Sequence, residues 1–77
     1  MKGQELSQFN IMAPKIKVKN LENHITKEQE ERWFDVFAAR AGYVGNGIYK
    51  VDGLYSTDTR ELFLMFVAQQ EEISFEK

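Results

Sequence analysis

Few side chains in this 77-residue chain have the chemistry that catalysis requires. His24 is the single histidine, and no cysteine is present to join it in a conventional metal site or to serve as a nucleophile. Ser7, Ser56 and Ser74 do not lie in a nucleophile-elbow pattern. We therefore predict no catalytic, cofactor-binding or metal-binding residue, and we interpret His24 as a solvated histidine in a connector.

A glycine-rich stretch, G-Y-V-G-N-G from Gly42 to Gly47, has the composition of a phosphate-binding loop. Such a loop needs a strand before it and a helix after it, because the N–H groups of the first helical turn bind the phosphate. Here the glycines follow a predicted helix and precede a predicted hairpin. We interpret Gly42 as the left-handed residue that ends the helix, and residues 45–47 as a bend.

Acidic side chains form one candidate binding surface. Glu28, Glu31 and Asp35 are spaced three and four residues apart, which places them on one face of a helix. An acidic face of this kind can dock on a basic partner protein. The alternative is an outer face in contact with solvent, with Arg32 as a partial ionic partner.

Basic side chains form a second candidate surface. Lys15, Lys17 and Lys19 alternate with apolar residues and would point the same way from a strand. They could contact phosphates, but no aromatic residue lies among them to stack on bases. We prefer the interpretation that these lysines protect a strand edge from unwanted pairing, and we expect no nucleic-acid partner.

The composition is that of a small globular domain, with 43 % apolar residues, ten aromatic residues and a net charge of −2. No apolar run is long enough for a secretion signal or a membrane span. Together with the lack of cysteine, this predicts a cytoplasmic protein without a membrane partner. We expect residues 1–13 to be a flexible or loosely docked arm, and residues 14–77 to form a single α+β domain.

The elements that position these side chains are predicted from periodicity and capping. A strand over residues 15–19 is followed by a helix that begins at Thr26, where Gln29 completes a capping box. Its apolar stripe consists of Trp33, Phe34, Phe37, Ala38 and Ala41. We expect Phe37 to be buried.

A hairpin and a second helix are predicted for the rest of the chain. Asp52-Gly53, between residues 48–51 and 54–56, has the form of a two-residue type I′ turn. A helix capped by Asp58 is predicted from Thr59 to about Glu72. The alternative is a central strand over residues 61–67, since apolar residues occupy both alternating faces.

An apolar surplus marks residues 62–68, which are apolar at every position. On a helical wheel Leu64 and Ala68 fall outside the half that faces the core. Because so small a domain can hardly cover a helix that is apolar all round, we predict that Leu64 and Ala68 contact a partner protein or a second copy in a homodimer. The alternative is that the N-terminal strand and arm cover them.

Residues 30–70 resemble small uncharacterised bacteriophage proteins. The pattern consists of Asp52-Gly53-Leu54-Tyr55, Thr59, Phe63, Phe66, Ala68 and Gln69, preceded by Trp33-Phe34-x-x-Phe37-Ala38. The chain has Phe63 and Phe66 where those proteins more often have tryptophan. The resemblance implies a phage or prophage origin, the host cytoplasm as location, and a role as an accessory factor that binds and inhibits a bacterial protein.

Two functions are therefore expected, in order of preference. The first is a non-enzymatic protein-binding accessory factor that modulates a host protein. The second is a small nucleic-acid-associated protein that uses Lys15, Lys17 and Lys19.

Overall fold

The computed structural model describes residues 15–76, and the predicted arm over residues 1–13 lies outside them. The helices and strands are β1 (Ile16–Lys17), a 3₁₀ helix (Val18–Asn23), α1 (Lys27–Arg40), β2 (Gly42–Gly45), β3 (Ile48–Val51), β4 (Leu54–Ser56), α2 (Thr59–Gln70) and β5 (Phe75–Glu76). β1 pairs with β5 in parallel, and β2, β3 and β4 form an antiparallel meander. The predicted α+β class is confirmed.

The helix α2 is the centre of the fold. Asp58 caps it by accepting hydrogen bonds from the backbone N–H groups of Arg60 and Glu61, at 2.9 and 3.2 Å. All residues from Leu62 to Ala68 are buried, because the 3₁₀ helix, α1, β3 and β4 pack around this helix. The predicted helix is confirmed, and the alternative of a central strand is wrong.

Leu64 and Ala68 do not face outward. Leu64 is 3 % exposed and Ala68 is fully buried, so the prediction that they contact a partner protein or a second copy is wrong. The physical reason is the 3₁₀ helix, whose Val18 and Leu21 belong to the same buried cluster. The 3₁₀ helix begins with the last two residues of the predicted strand and continues into the predicted connector, and it supplies the cover that the alternative interpretation assigned to the N-terminal strand and arm.

The helix α1 begins as predicted but lies further from the core. Thr26 and Gln29 form the capping box, with hydrogen bonds of 2.8 and 3.1 Å. No residue of α1 is fully buried, and its half-buried Trp33, Val36 and Phe37 pack against the core. Phe37 is only partly buried, because α1 packs on the core from one side only, so the prediction of a buried Phe37 is wrong in extent.

The end of α1 also differs from the prediction. Ala41 is already extended, with φ −72° and ψ 146°, and Gly42 starts β2 without a positive φ. Gly42 is therefore not a left-handed cap, because the chain enters a strand directly. The left-handed residues come later, at Gly45, Asn46 and Gly47, where β2 turns into β3.

The predicted hairpin is confirmed in its register. Val51 lies opposite Leu54, and Asp52 and Gly53 have φ values of 45° and 84°, as a type I′ turn requires. Val51 is buried and Leu54 is half-buried against the core. β2 extends this hairpin to three strands, which the sequence pattern did not indicate.

The predicted strand over residues 15–19 is too long. β1 ends at Lys17, and the chain turns into the 3₁₀ helix at Val18, so that Lys19 lies on a different element. Lys17 forms an ion pair with Glu76 of the adjacent strand, at 3.0 Å. Lys15, Lys17 and Lys19 therefore do not form a row along one strand.

Candidate functional site

An apolar groove of about 430 Å³ lies between α1 and the first turns of α2. Three phenylalanine side chains line it, from Phe34 and Phe37 on α1 and Phe63 on α2. Charged side chains surround them, namely Lys27, Glu30, Glu31 and Arg60. The groove thus has an apolar floor with a charged rim, which resembles the apolar core and polar rim of protein interfaces.

The three rings pack edge to face. Phe63 lies 5.0 Å from Phe37 and 6.0 Å from Phe34 between ring centroids, with interplanar angles of 65° and 79°. These separations are in the favourable range for aromatic pairs. Phe63 is buried, whereas Phe34 is 57 % exposed. The groove therefore presents a large aromatic side chain that rests on the core and remains open to solvent.

Arg60 forms one wall of the groove. Its guanidinium donates hydrogen bonds of 2.9–3.1 Å to Glu22 of the 3₁₀ helix and to Glu30 of α1. The hydrogen bonds with Glu22 and then Glu30 raise the pKa of Arg60, and the same contact lowers the pKa of Glu22. Arg60 also stands 5.8 Å above the centroid of the Phe63 ring. This one side chain ties three helices together beside the groove.

The groove opens because α1 crosses α2. Glu30 accepts hydrogen bonds from Arg60, which lies in the first turn of α2. Its neighbour Gln29 donates a hydrogen bond of 3.4 Å to Glu71, which lies at the other end of α2. Arg60 and Glu71 are eleven positions apart, which is about 16 Å along the helix axis. Neighbouring residues of α1 thus contact opposite ends of α2, so α1 lies across α2 rather than alongside it, and the groove lies between the two helices.

A carboxylate fixes the other side of this crossing. Glu71 accepts a hydrogen bond from the Trp33 indole at 2.7 Å and another from Arg32 at 2.8 Å. These bonds, that of Trp33 first, lower the pKa of Glu71. The alternative interpretation of the acidic face, with Arg32 as its partial ionic partner, is wrong in that detail, because Arg32 turns toward α2 instead.

The structure brings part of the predicted acidic face to the groove. Glu31 lines the groove, and Glu28 and Asp35 lie on the exposed side of α1. Within residues 15–76 none of these three carboxylates forms an ion pair or a hydrogen bond. Leu64 and Ala68, the other predicted contact residues, lie in the core and are not part of this surface.

Residue spacing does not identify the phenylalanines of the groove as site residues. The apolar periodicity places Phe34 in the stripe of α1 that faces the core, although Phe34 lies 100° from Trp33 on a helical wheel. Contact with the core centres on Trp33, Val36 and Phe37, so Phe34 lies at the edge of the stripe. This angle is the one signal in the sequence that indicates an exposed aromatic position.

The histidine and the buried serine, which could serve in catalysis, form only local hydrogen bonds. His24 is exposed, with Nδ1 3.2 Å from the Asn20 carbonyl oxygen, and buried Ser56 donates to Glu61 at 2.6 Å. No group of three His, Cys, Asp or Glu side chains within residues 15–76 could hold a metal ion. None of the helices in this part of the chain has the length and apolar character needed to cross a bilayer.

Comparison of the chain with protein-family models, curated proteins and solved structures finds no match. The resemblance of residues 30–70 to small phage proteins stays a prediction. The groove, its aromatic floor and its charged rim are the features from which we infer a function.

Proposed function

We propose that this chain is a non-enzymatic protein-binding domain, and that a partner protein binds in the groove between α1 and α2. The observation that carries this proposal is Phe34, which is 57 % exposed at the open side of a concave surface. One exposed phenylalanine on a convex surface is common and needs no explanation. Here the exposed ring adjoins two further phenylalanines that line the same groove.

The size of the groove suits an anchoring contact. Its volume of about 430 Å³ can accept one or two large side chains. A stable interface buries roughly 800 Å² on each partner, so the groove would be the centre and the exposed surface of α1 the rim. Residues that dominate binding energy cluster in such central, aromatic positions.

The groove is also held in shape before a partner arrives. Arg60 fixes one side through Glu22 and Glu30, and Glu71 fixes the other through Trp33 and Arg32. A preformed surface loses less conformational entropy on binding than a mobile one. This supports a binding role for the groove.

We infer that the domain acts by occupying a surface of its partner and so modulates or inhibits it. The resemblance to phage accessory proteins makes a bacterial cytoplasmic protein the first partner to test. The nucleic-acid alternative receives no support, because Lys17 is engaged by Glu76 and Lys19 lies on another element.

The test uses the full chain and two matched variants. Immobilised protein captures candidates from a bacterial lysate, mass spectrometry identifies them, and each purified candidate is titrated by calorimetry. The variant Phe34→Ser removes the exposed ring of the groove, whereas Val44→Ser removes an exposed apolar side chain outside it. We expect Phe34→Ser to weaken binding at least about 30-fold, the equivalent of a 2 kcal/mol hot spot, and Val44→Ser to leave the affinity unchanged.

The same two variants can also overturn the proposal. A partner that binds Phe34→Ser as tightly as the parent protein does not use the groove, and this result overturns the proposed site. Circular dichroism spectra of both variants should match that of the parent protein, because both side chains are about half exposed or more.

A further inference from the structure

The charges beside the groove select among protein partners. Glu31 lines the groove next to Phe34, and Glu28 and Asp35 continue the same exposed face of α1. Spacings of three and four residues place the three carboxylates on one stripe. A partner seated on Phe34 therefore lies beside Glu31, and the stripe continues away from the groove through Glu28 and Asp35.

The cations near the groove do not neutralise this stripe. Arg60 is bound by Glu22 and Glu30, and Arg32 is bound by Glu71. Lys27 lines the groove and forms no ion pair within the described part of the chain, but it is one positive charge among three negative ones. The surface that includes Phe34 thus has a net charge of about −2 at neutral pH.

The floor of the groove favours an apolar anchor over a cationic one. One aromatic ring of the floor, Phe63, already has the guanidinium of Arg60 5.8 Å from its centroid. This face of the ring is therefore already occupied by a cation. A leucine, phenylalanine or tryptophan side chain does not need that face and can pack against the exposed ring of Phe34.

We infer that the partner of this groove is a basic amphipathic segment of another protein. One large apolar side chain enters between Phe34, Phe37 and Phe63, and flanking lysines or arginines face Glu28, Glu31 and Asp35. This inference rests on the proposed function and adds the chemical class of the partner. Opposite charges on the two surfaces speed association and make the affinity depend on salt.

The experiment uses a library of random 12-residue peptides as the probe. The full chain selects binders, which are sequenced, and the most enriched peptide is synthesised and titrated by fluorescence anisotropy. The variants are Phe34→Ser, the triple variant Glu28→Gln, Glu31→Gln, Asp35→Asn, and the control Glu72→Gln. Glu72 is exposed and lies outside the groove, so its variant removes a charge without touching the proposed site.

We expect enriched peptides to contain a large apolar residue flanked by at least two lysines or arginines. The triple variant should weaken the best peptide about ten-fold at low salt and less at 0.5 M NaCl, since salt screens exposed charges. Glu72→Gln should leave the affinity unchanged. Phe34→Ser should abolish measurable binding.

Two results overturn the inference in distinguishable ways. Peptides that need Phe34 but have no excess of basic residues, or that bind the triple variant equally well, show a binding groove without charge selection. Peptides that bind Phe34→Ser normally contradict the groove itself and the proposed function with it. Sedimentation gives a third result that would overturn the inference: a dimer of the full chain that Phe34→Ser dissociates would identify a second copy, and not another protein, as the occupant.

Discussion

The indole N–H of Trp33 donates a hydrogen bond of 2.7 Å to the carboxylate of Glu71, which joins α1 to the C-terminal end of α2. Arg32 donates to the same carboxylate oxygen at 2.8 Å. Glu71 thereby holds two consecutive residues of α1, 38 and 39 positions away in the sequence. The contact fixes how α1 crosses α2 and therefore the shape of the groove.

Stability should depend on the protonation of Glu71. The bonds from Trp33 and Arg32 lower the pKa of this carboxyl below its usual 4.5. A lowered pKa contributes stability that is complete above the unfolded-state pKa and is lost as the pH falls through the lower folded-state pKa. We expect the parent protein to melt at a higher temperature than Glu71→Gln at pH 7, and the difference to shrink below about pH 4.5.

Thermal melts followed by circular dichroism from pH 7 to pH 3 measure this difference. Glu72→Gln is the matched control, because the Glu72 side chain makes no ion pair or hydrogen bond within residues 15–76. It should follow the pH dependence of the parent protein. A constant offset between Glu71→Gln and the parent protein at every pH would show that the charge of Glu71 is not what matters.

Lysine should replace Arg60 only in part. Its guanidinium bonds Glu22 and Glu30 at once, and a lysine ammonium cannot reproduce this planar, forked geometry. Because the side chain is 45 % exposed, we expect Arg60→Lys to lower the free energy of unfolding by only about 0.5–1 kcal/mol. Urea unfolding at low and high salt measures this loss, which should shrink at 1 M NaCl. A loss that is independent of salt would indicate packing on Phe63 rather than ion pairing.

Local signals predicted the parts of the fold that depend on neighbouring residues. The capping box of Thr26 and Gln29 and the turn at Asp52-Gly53 each satisfy their own backbone, so a few residues are enough to specify them. The sequence pattern does not indicate the 3₁₀ helix, because such helices have no long apolar period. The pairing of β1 with β5 joins residues at opposite ends of the described chain, which no local pattern indicates.

The candidate site could be predicted only in part, for a related reason. The acidic face of α1 follows from residue spacing, and Glu31 does line the groove. The exposure of Phe34 depends on where α1 crosses α2, which long-range contacts of Glu71 and Arg60 determine. Likewise, the sequence predicts an outward-facing Leu64, because the 3₁₀ helix that covers Leu64 has no recognisable helical pattern.

Leu64 should tolerate a change of shape but not of charge. It is 3 % exposed in the buried cluster, so Leu64→Glu would bury a carboxylate without a partner and should unfold the domain. Leu64→Met conserves volume and should cost less than about 1.5 kcal/mol. Circular dichroism and urea unfolding distinguish the two variants. If Leu64→Glu folds normally, position 64 must be accessible to solvent, and this result would contradict the packing of the 3₁₀ helix on α2.

Two glycines should respond in opposite directions to the same substitution. An added Cβ meets no atom within 4 Å at either Gly42 or Gly53, so steric clashes do not separate them. Gly53 has φ +84°, where an alanine costs about 1–2 kcal/mol, whereas Gly42 lies in a strand without a positive φ. We expect Gly53→Ala to destabilise the protein by that amount and Gly42→Ala to stabilise it by about 0.4–1 kcal/mol, because alanine restricts the unfolded chain. Urea unfolding of the two variants measures both values, and destabilisation by Gly42→Ala would restore the interpretation of Gly42 as a left-handed helix cap.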